Sequence, residues 1–133
     1  MRPIQQVLHQ GMHSARMEVD ENDGFTPFAM VAHGDKIRLV ATAGIEISDL
    51  GHGIEVYSQC LKDHPADAII FCIDMIVGDP ESGVRKSAIY FILENEDVCI
   101  CGFQIYSRDD EGQMVFDEIV TEEAAHTFFG REN

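Results

Sequence analysis

The stretch AIIFCIDMIV, residues 68–77, is an apolar run that contains a single carboxylate, Asp74. Short runs rich in isoleucine and valine are typical of buried strands. Two further β-capable runs follow, SAIYFILE (87–94) and VCICGFQIYS (98–107). Because short connections join neighbouring strands in antiparallel fashion, the three runs predict the centre of an antiparallel sheet.

The residues before this run predict two helices and a hairpin. Residues 3–19 repeat their apolar positions with a period near 3.6, which indicates an amphipathic helix. Residues 25–44 predict a β-hairpin that turns at Gly34. Residues 47–64 predict a second helix, for which Ser48 is a candidate N-cap.

The residues after the three runs predict a short fourth segment at 114–120 and a closing helix at 121–129. The predicted order is α-ββ-α-βββ(β)-α. We therefore expect one domain over residues 1–133, of the α+β class, with an antiparallel sheet of about five to six strands and helices packed on it.

The charge is the strongest global feature of the sequence. Nine lysines and arginines stand against 24 aspartates and glutamates, which gives a net charge of −15. Such a field repels nucleic acids and anionic membrane surfaces, so we expect neither as a partner. The acids could serve solubility alone, form a face that docks on a basic partner, or mimic a nucleic acid.

The sequence points to the cytoplasm. No apolar run approaches the roughly 20 residues of a membrane helix, and the first residues lack the apolar core of a signal peptide. The four cysteines fall in predicted helix and strand interiors, where cysteine behaves as a small apolar residue. We expect no disulfide framework, no metal and no cofactor.

Alternation along the strands divides the sheet into two faces, if Glu94 lies opposite Asp97. The first face then carries Ile69, Phe71, Ile73, Ile89, Phe91, Leu93 and Ile100. The second face then carries Ile70, Cys72, Asp74, Tyr90, Ile92, Glu94, Cys101 and Phe103. A one-sided antiparallel sheet has a polar outer face. Because both faces are largely apolar here, we predict that the second face forms a homodimer, or a groove for a partner peptide or ligand.

The same face assignment defines a candidate ligand cleft. It would be lined by the side chains of Asp74, Tyr90, Glu94, Cys72 and Cys101. A carboxylate in such a cleft, with tyrosine as its donor, could titrate unusually. The alternative is an aspartate that is simply satisfied by a hydrogen bond within the fold. We find no catalytic constellation in the sequence.

Three motifs are similar to those of a group of small uncharacterised bacterial proteins. They are the hairpin start Gly24, Pro27 and Phe28, the strand entry Ala66, Asp67 and Ala68, and the strand end Leu93 and Glu94. The resemblance covers about two-thirds of the chain. It implies no activity, because none is established for the group.

The sequence favours a non-enzymatic protein-binding module, a cytoplasmic homodimer that resembles chaperone-like or immunity-like adaptors in size and acidity. The alternative is a small-ligand-binding protein or enzyme with its cleft around Asp74 and Tyr90. A third interpretation is a structural or regulatory protein whose charge only keeps it in solution.

Overall fold

A computed structural model describes residues 2–78 and 81–129. Within these residues, two helices pack on a seven-stranded sheet, which confirms the α+β class. Neither helix is long and apolar enough to cross a membrane. The elements are α1 (Pro3–Asn22), β1 (Phe28–His33), β2 (Lys36–Leu39), α2 (Leu50–Asp63), β3 (Ala68–Gly78), β4 (Arg85–Glu94), β5 (Cys99–Arg108), β6 (Met114–Phe116) and β7 (Val120–Glu123).

The sheet is antiparallel throughout, with the order β2-β1-β3-β4-β5-β6. The apolar run at 68–77 forms most of β3, which lies between β1 and β4. Its first six residues are all buried. A strand with neighbours on both edges and a helix above each face has to be apolar on both sides, and this explains the composition of the run.

The predicted C-terminal helix is wrong. Residues 120–123 form β7, and no helix follows in residues 124–129. The short strand β6 covers only one end of the outer edge of β5, and β7 pairs with the rest of it. From Tyr106 to Phe103 on β5 is three residues, whereas from their partners Phe116 to Val120 is four. The extra residue between β6 and β7 is a β-bulge. Pairing of exposed backbone groups on β5 thus outweighs the helical preference of this segment.

The first helix covers one face of the sheet, which we call the helix-1 face; it carries Ile70, Cys72 and Phe91. A Cβ at Gly11 would lie 2.6 Å from Ile70 Cγ2, so this glycine lets α1 approach β3 closely. The buried residues of α1 are Val7, Gly11, Met12, Ala15 and Val19; the first four lie on the predicted apolar stripe, and Val19 extends it by one turn.

The second helix covers part of the opposite face, which we call the helix-2 face; it carries Ile69, Phe71 and Ile92. Tyr57 and Leu61 of α2 pack on this face. The N-cap of α2 is Asp49, whose side chain accepts the N–H of His52 at 2.8 Å. The candidate cap Ser48 is therefore one residue too early.

The predicted face assignment is wrong for β3. Cys72 lies opposite Phe91 and Asp74 opposite Ile89, so the even-numbered residues of β3 lie on the helix-1 face. The β4–β5 register also differs, since Glu94 lies opposite Cys99, but a shift of two residues keeps each side chain on its predicted face. The pairing of β3 with β4 decides which face the even-numbered residues of β3 occupy. The alternation of residues within one strand does not show which of the two faces that is.

Candidate binding surface

Helix α2 leaves part of the helix-2 face uncovered. Two rows of side chains cross β3, β4 and β5 there. One row is Ile73, Tyr90, Phe103 and, on β7, Val120. The other is Met75, Ala88 and Ile105. We call the residues Met75, Tyr90, Phe103, Ile105 and Val120 the apolar strip.

The apolar strip is accessible to a partner. Phe103 and Ile105 are half-buried and belong to neither of the two core clusters, and Val120 is 53% exposed. A contiguous group of aromatic and aliphatic side chains on an open sheet face marks an interaction site more often than scattered exposed residues do. Acidic residues border the strip: Glu122 lies opposite Cys101 on β5, and the Asp117 N–H is bonded to the Ile105 carbonyl.

Three of the five candidate ligand residues lie on the helix-2 face, namely Tyr90, Glu94 and Cys101. Burial raises the pKa of Tyr90, and the neighbouring Cys101 thiol raises it further. Asp74 and Cys72 lie on the helix-1 face, on the other side of the sheet. The five residues therefore do not line one cleft.

Asp74 is satisfied within the fold. The Tyr106 hydroxyl donates to Asp74 Oδ1 at 2.7 Å. Burial, followed by the Asp74 carboxylate, raises the pKa of Tyr106. A Cβ at Gly24 would lie 2.7 Å from Asp74 Oδ2, so this glycine gives the carboxylate room after α1. Asp74 itself is exposed, because it lies where β3 extends past the end of α1.

Cys72 is part of the core under α1, with no exposed surface. Burial alone raises the pKa of its thiol. A buried neutral thiol packs as a small apolar group, as the sequence predicts for the cysteines in general. Cys72 is thus sealed from any ligand.

Glu94 has no exposed surface and binds the C-terminal segment. Its carboxylate accepts the backbone N–H groups of Thr127, Phe128 and Phe129; the Phe128 bond to Oε2 measures 2.7 Å. Three charge-assisted bonds to consecutive amides offset the cost of burying the charge. These bonds bring Phe128 onto Phe71, with ring centroids 6.5 Å apart. Glu94 is therefore a structural anchor.

A thiol and an imidazole, those of Cys99 and His126, lie near the Glu94 carboxylate, but the thiol does not have the properties of a nucleophile. His126 Nδ1 lies 3.7 Å from Glu94 Oε2, and Cys99 Sγ lies 3.9 Å from Thr127 Oγ1 beside it. Burial, followed by Glu94, raises the pKa of Cys99 to about 12. A catalytic thiol needs a lowered pKa and access, and Cys99 is 3% exposed. Within residues 2–78 and 81–129, no group of three metal-ligating side chains is close enough to hold an ion.

A polar cleft opens where β4 and β5 separate. Their pairing ends at Ser87↔Tyr106, while β4 continues along β3 and β5 turns to β6. Arg108 stands in this cleft, but its guanidinium is already bound: Nε donates to Asp23 Oδ1 at 2.7 Å, and the other nitrogens donate to the carbonyls of Asp20 and Gly112. Arg108 therefore joins the end of α1 to the β5–β6 turn.

The buried phenols and thiols predict that stability depends on pH in the alkaline range. Burial raises the pKa of Tyr57 to about 12, and the pKa of Cys99 reaches about 12. Cys72, Tyr90 and Tyr106 are shifted in the same direction. In the unfolded chain these groups keep ordinary pKa values of about 9 for thiols and 10 for phenols, so the folded chain holds protons that the unfolded chain has lost.

We expect the free energy of unfolding to be fully present below about pH 9 and to fall as the pH rises from about 9 to about 12. Urea unfolding at several pH values measures this slope. Tyr57→Phe removes one titrating group and should make the slope shallower. A free energy of unfolding that stays constant over this range would contradict the raised pKa values.

Sequence reasoning placed Tyr90, Phe103 and Cys101 on one face, and the structure confirms it. The sequence predicts a short segment that ends at Val120 and a helix over residues 121–129, and therefore does not indicate that Val120 lies beside Phe103 on β7. The sequence also does not indicate the Tyr106–Asp74 hydrogen bond, because the predicted face of Asp74 is wrong. A β-branched residue next to threonine, as at 120–121, was the available signal for a strand.

Comparison of the chain with protein-family models, with curated proteins and with solved structures found no match in any of the three. The function therefore has to be inferred from the chemistry and the geometry of the chain itself.

Proposed function

We propose that this protein is a non-enzymatic binding module that holds a basic protein partner on the apolar strip of the helix-2 face. The observation that carries the proposal is the strip itself, in which four half-buried apolar side chains and the exposed Val120 lie together on the helix-2 face. Apolar side chains at the centre of an interface supply most of the binding free energy. The four cysteines are free thiols, which fits a cytoplasmic location.

Charge indicates what kind of partner fits. The net charge of −15 and the acids Asp117 and Glu122 beside the strip favour a partner whose apolar patch is flanked by lysine and arginine. Complementary charge at the rim raises the association rate and excludes wrong partners. Lys86 lies toward the far end of the same face and should contact the rim of the partner only weakly.

A homodimer, which the sequence also predicts, would use the same strip. The two arrangements respond to salt in opposite directions. Two copies of charge −15 repel each other, so salt should strengthen a homodimer; a complex with a basic partner should weaken as salt screens the attraction. Native mass spectrometry of protein purified gently from its host gives the first answer, and calorimetry of the rebuilt complex at two salt concentrations gives the second.

Val120→Asp should weaken the complex at least about tenfold, because it places a charge in the strip. Val84→Asp is the matched control, since Val84 is 50% exposed, lies outside the strip and undergoes the same change in charge. The affinity of the purified partner for each variant is measured by calorimetry. Equal affinities for the two variants would exclude the strip as the binding surface.

Glu122→Gln should weaken the complex less and reduce its salt dependence. Glu123→Gln is the matched control, because Glu123 lies opposite Ile100 and thus on the other face of β7. A monomer without any bound protein at every salt concentration would refute the module itself.

A further inference from the structure

A small cavity lies between α2 and the β1–β2 hairpin, on the helix-2 face but away from the apolar strip. Its volume is about 170 Å³. Its floor is apolar and buried, formed by Val31, Tyr57, Leu61 and Ile69. An enclosed cavity of about 150 Å³ lined by leucine, isoleucine and phenylalanine can hold a benzene-sized molecule. The cavity is therefore large enough for one small apolar group.

The opening of this cavity is polar. Two exposed residues among its lining, Arg38 and His64, stand next to the buried floor. Arg38 lies opposite Val31 in the β1–β2 ladder, so its side chain is on the α2 side of the hairpin. Within residues 2–78 and 81–129, Arg38 takes part in no ion pair, whereas Arg108 is fully engaged.

We propose that this cavity binds a small apolar carboxylate, whose hydrocarbon part fills the floor and whose carboxylate pairs with Arg38. The guanidinium offers two parallel N–H donors, which match the two oxygens of a carboxylate. The imidazole of His64 stands at the same opening and can donate a further hydrogen bond. The carboxylate of Asp63 is close enough to the lining residue Cys60 to raise the pKa of its thiol, after the effect of burial.

A series of three ligands of similar shape tests the charge preference. Sodium benzoate, benzyl alcohol and benzylammonium are titrated into the protein, and amide shifts are followed by NMR. We expect saturable shifts around Val31 and Leu61 with benzoate, and affinity at least about tenfold weaker with benzyl alcohol. Non-specific binding to a chain of charge −15 would instead favour benzylammonium, and that order would overturn the proposal.

Substitutions at the opening and at the floor of the cavity locate the ligand. Arg38→Gln should reduce benzoate affinity about tenfold and leave the binding of benzyl alcohol unchanged. Arg85→Gln, which removes the same charge from the start of β4, is the matched control and should change neither. Leu61→Trp should block both ligands by filling the floor; if it does not fold, Val40→Phe fills the cavity from its half-buried side. Undiminished binding of benzoate to Arg38→Gln refutes the site.

Thiol labelling separates this proposal from the protein-binding function. Cys60 lines the cavity, and Cys101 adjoins the apolar strip; both are partly exposed. Benzoate should slow the labelling of Cys60 and not that of Cys101, whereas a protein partner should protect Cys101 and not Cys60. Because each site has its own reporter, failure of one proposal is distinguishable from failure of the other. Benzoate that protects neither thiol contradicts the cavity proposal.

Discussion

Glu94→Ala is expected to lower the free energy of unfolding by about 3–5 kcal/mol, the largest single loss we predict for this chain. The substitution leaves the buried N–H group of Phe128 and the partly buried N–H groups of Thr127 and Phe129 without their acceptor. It also releases Phe128 from Phe71, and thereby opens the helix-2 core to water. Urea unfolding followed by circular dichroism measures the change.

Glu94→Gln removes the negative charge and keeps nearly the same side-chain size, so it separates the effect of charge from that of packing. The amide retains one oxygen acceptor, so the loss should be smaller, about 2 kcal/mol. Glu123→Gln serves as the control, because Glu123 lies on exposed β7 and its change should stay within about 0.5 kcal/mol. If Glu94→Ala were as stable as the control, the three backbone bonds would not anchor the C-terminal segment.

Gly53→Ala is expected to destabilise the protein by about 1–3 kcal/mol, although alanine favours a helix. A Cβ at this position would lie 2.6 Å from Phe71 Cε2 and closer still to Cζ. The Phe71 side chain projects from β3 and is fully buried beneath α2, where its ring packs against Tyr57 and Phe128. The overlap forces α2 away from the sheet, and the same unfolding measurement detects it.

Gly51→Ala is the matched control on the same turn of α2. Its added Cβ would meet only Asp49 Oδ1, at 3.6 Å, so helix propensity should dominate and stabilise the protein by about 0.5–1 kcal/mol. Phe71→Leu should remove most of the penalty of Gly53→Ala, since the smaller side chain makes room. Two glycine variants that change stability in the same direction would contradict the close approach of α2.

Gly53 and Glu94 both support the core around Phe71, and that core determines how much of the helix-2 face stays open. Phe71 spaces α2 from the sheet at Gly53, and Phe128, held by Glu94, packs against its ring. The apolar strip begins where this covering ends. A variant that loosens the C-terminal segment should therefore expose more apolar surface next to the strip, and so change both stability and partner binding. Surface variants such as Val120→Asp are needed to measure partner binding without a change in the core.

Local pattern and composition alone determine much of this protein. The 3.6-residue period of α1, the glycine turn at Gly34, whose φ is +63°, and the apolar run of β3 each follow from nearby residues. The charge of −15 follows from composition. These features are recoverable from sequence because helix periodicity, turn conformation and strand composition are set within about ten residues of chain.

Only the tertiary structure decides which side chains meet. Asp74 and Tyr90 have the alternation expected of neighbours, yet the β3–β4 register places them on opposite faces. The free edge of β5 holds residues 121–123 in a strand, although the sequence predicts a helix there, and the burial of Glu94 beneath residues 127–129 depends on that path. Registers, sheet edges and the cavity under α2 arise from contacts between distant segments, and a one-residue shift in any loop would exchange the faces.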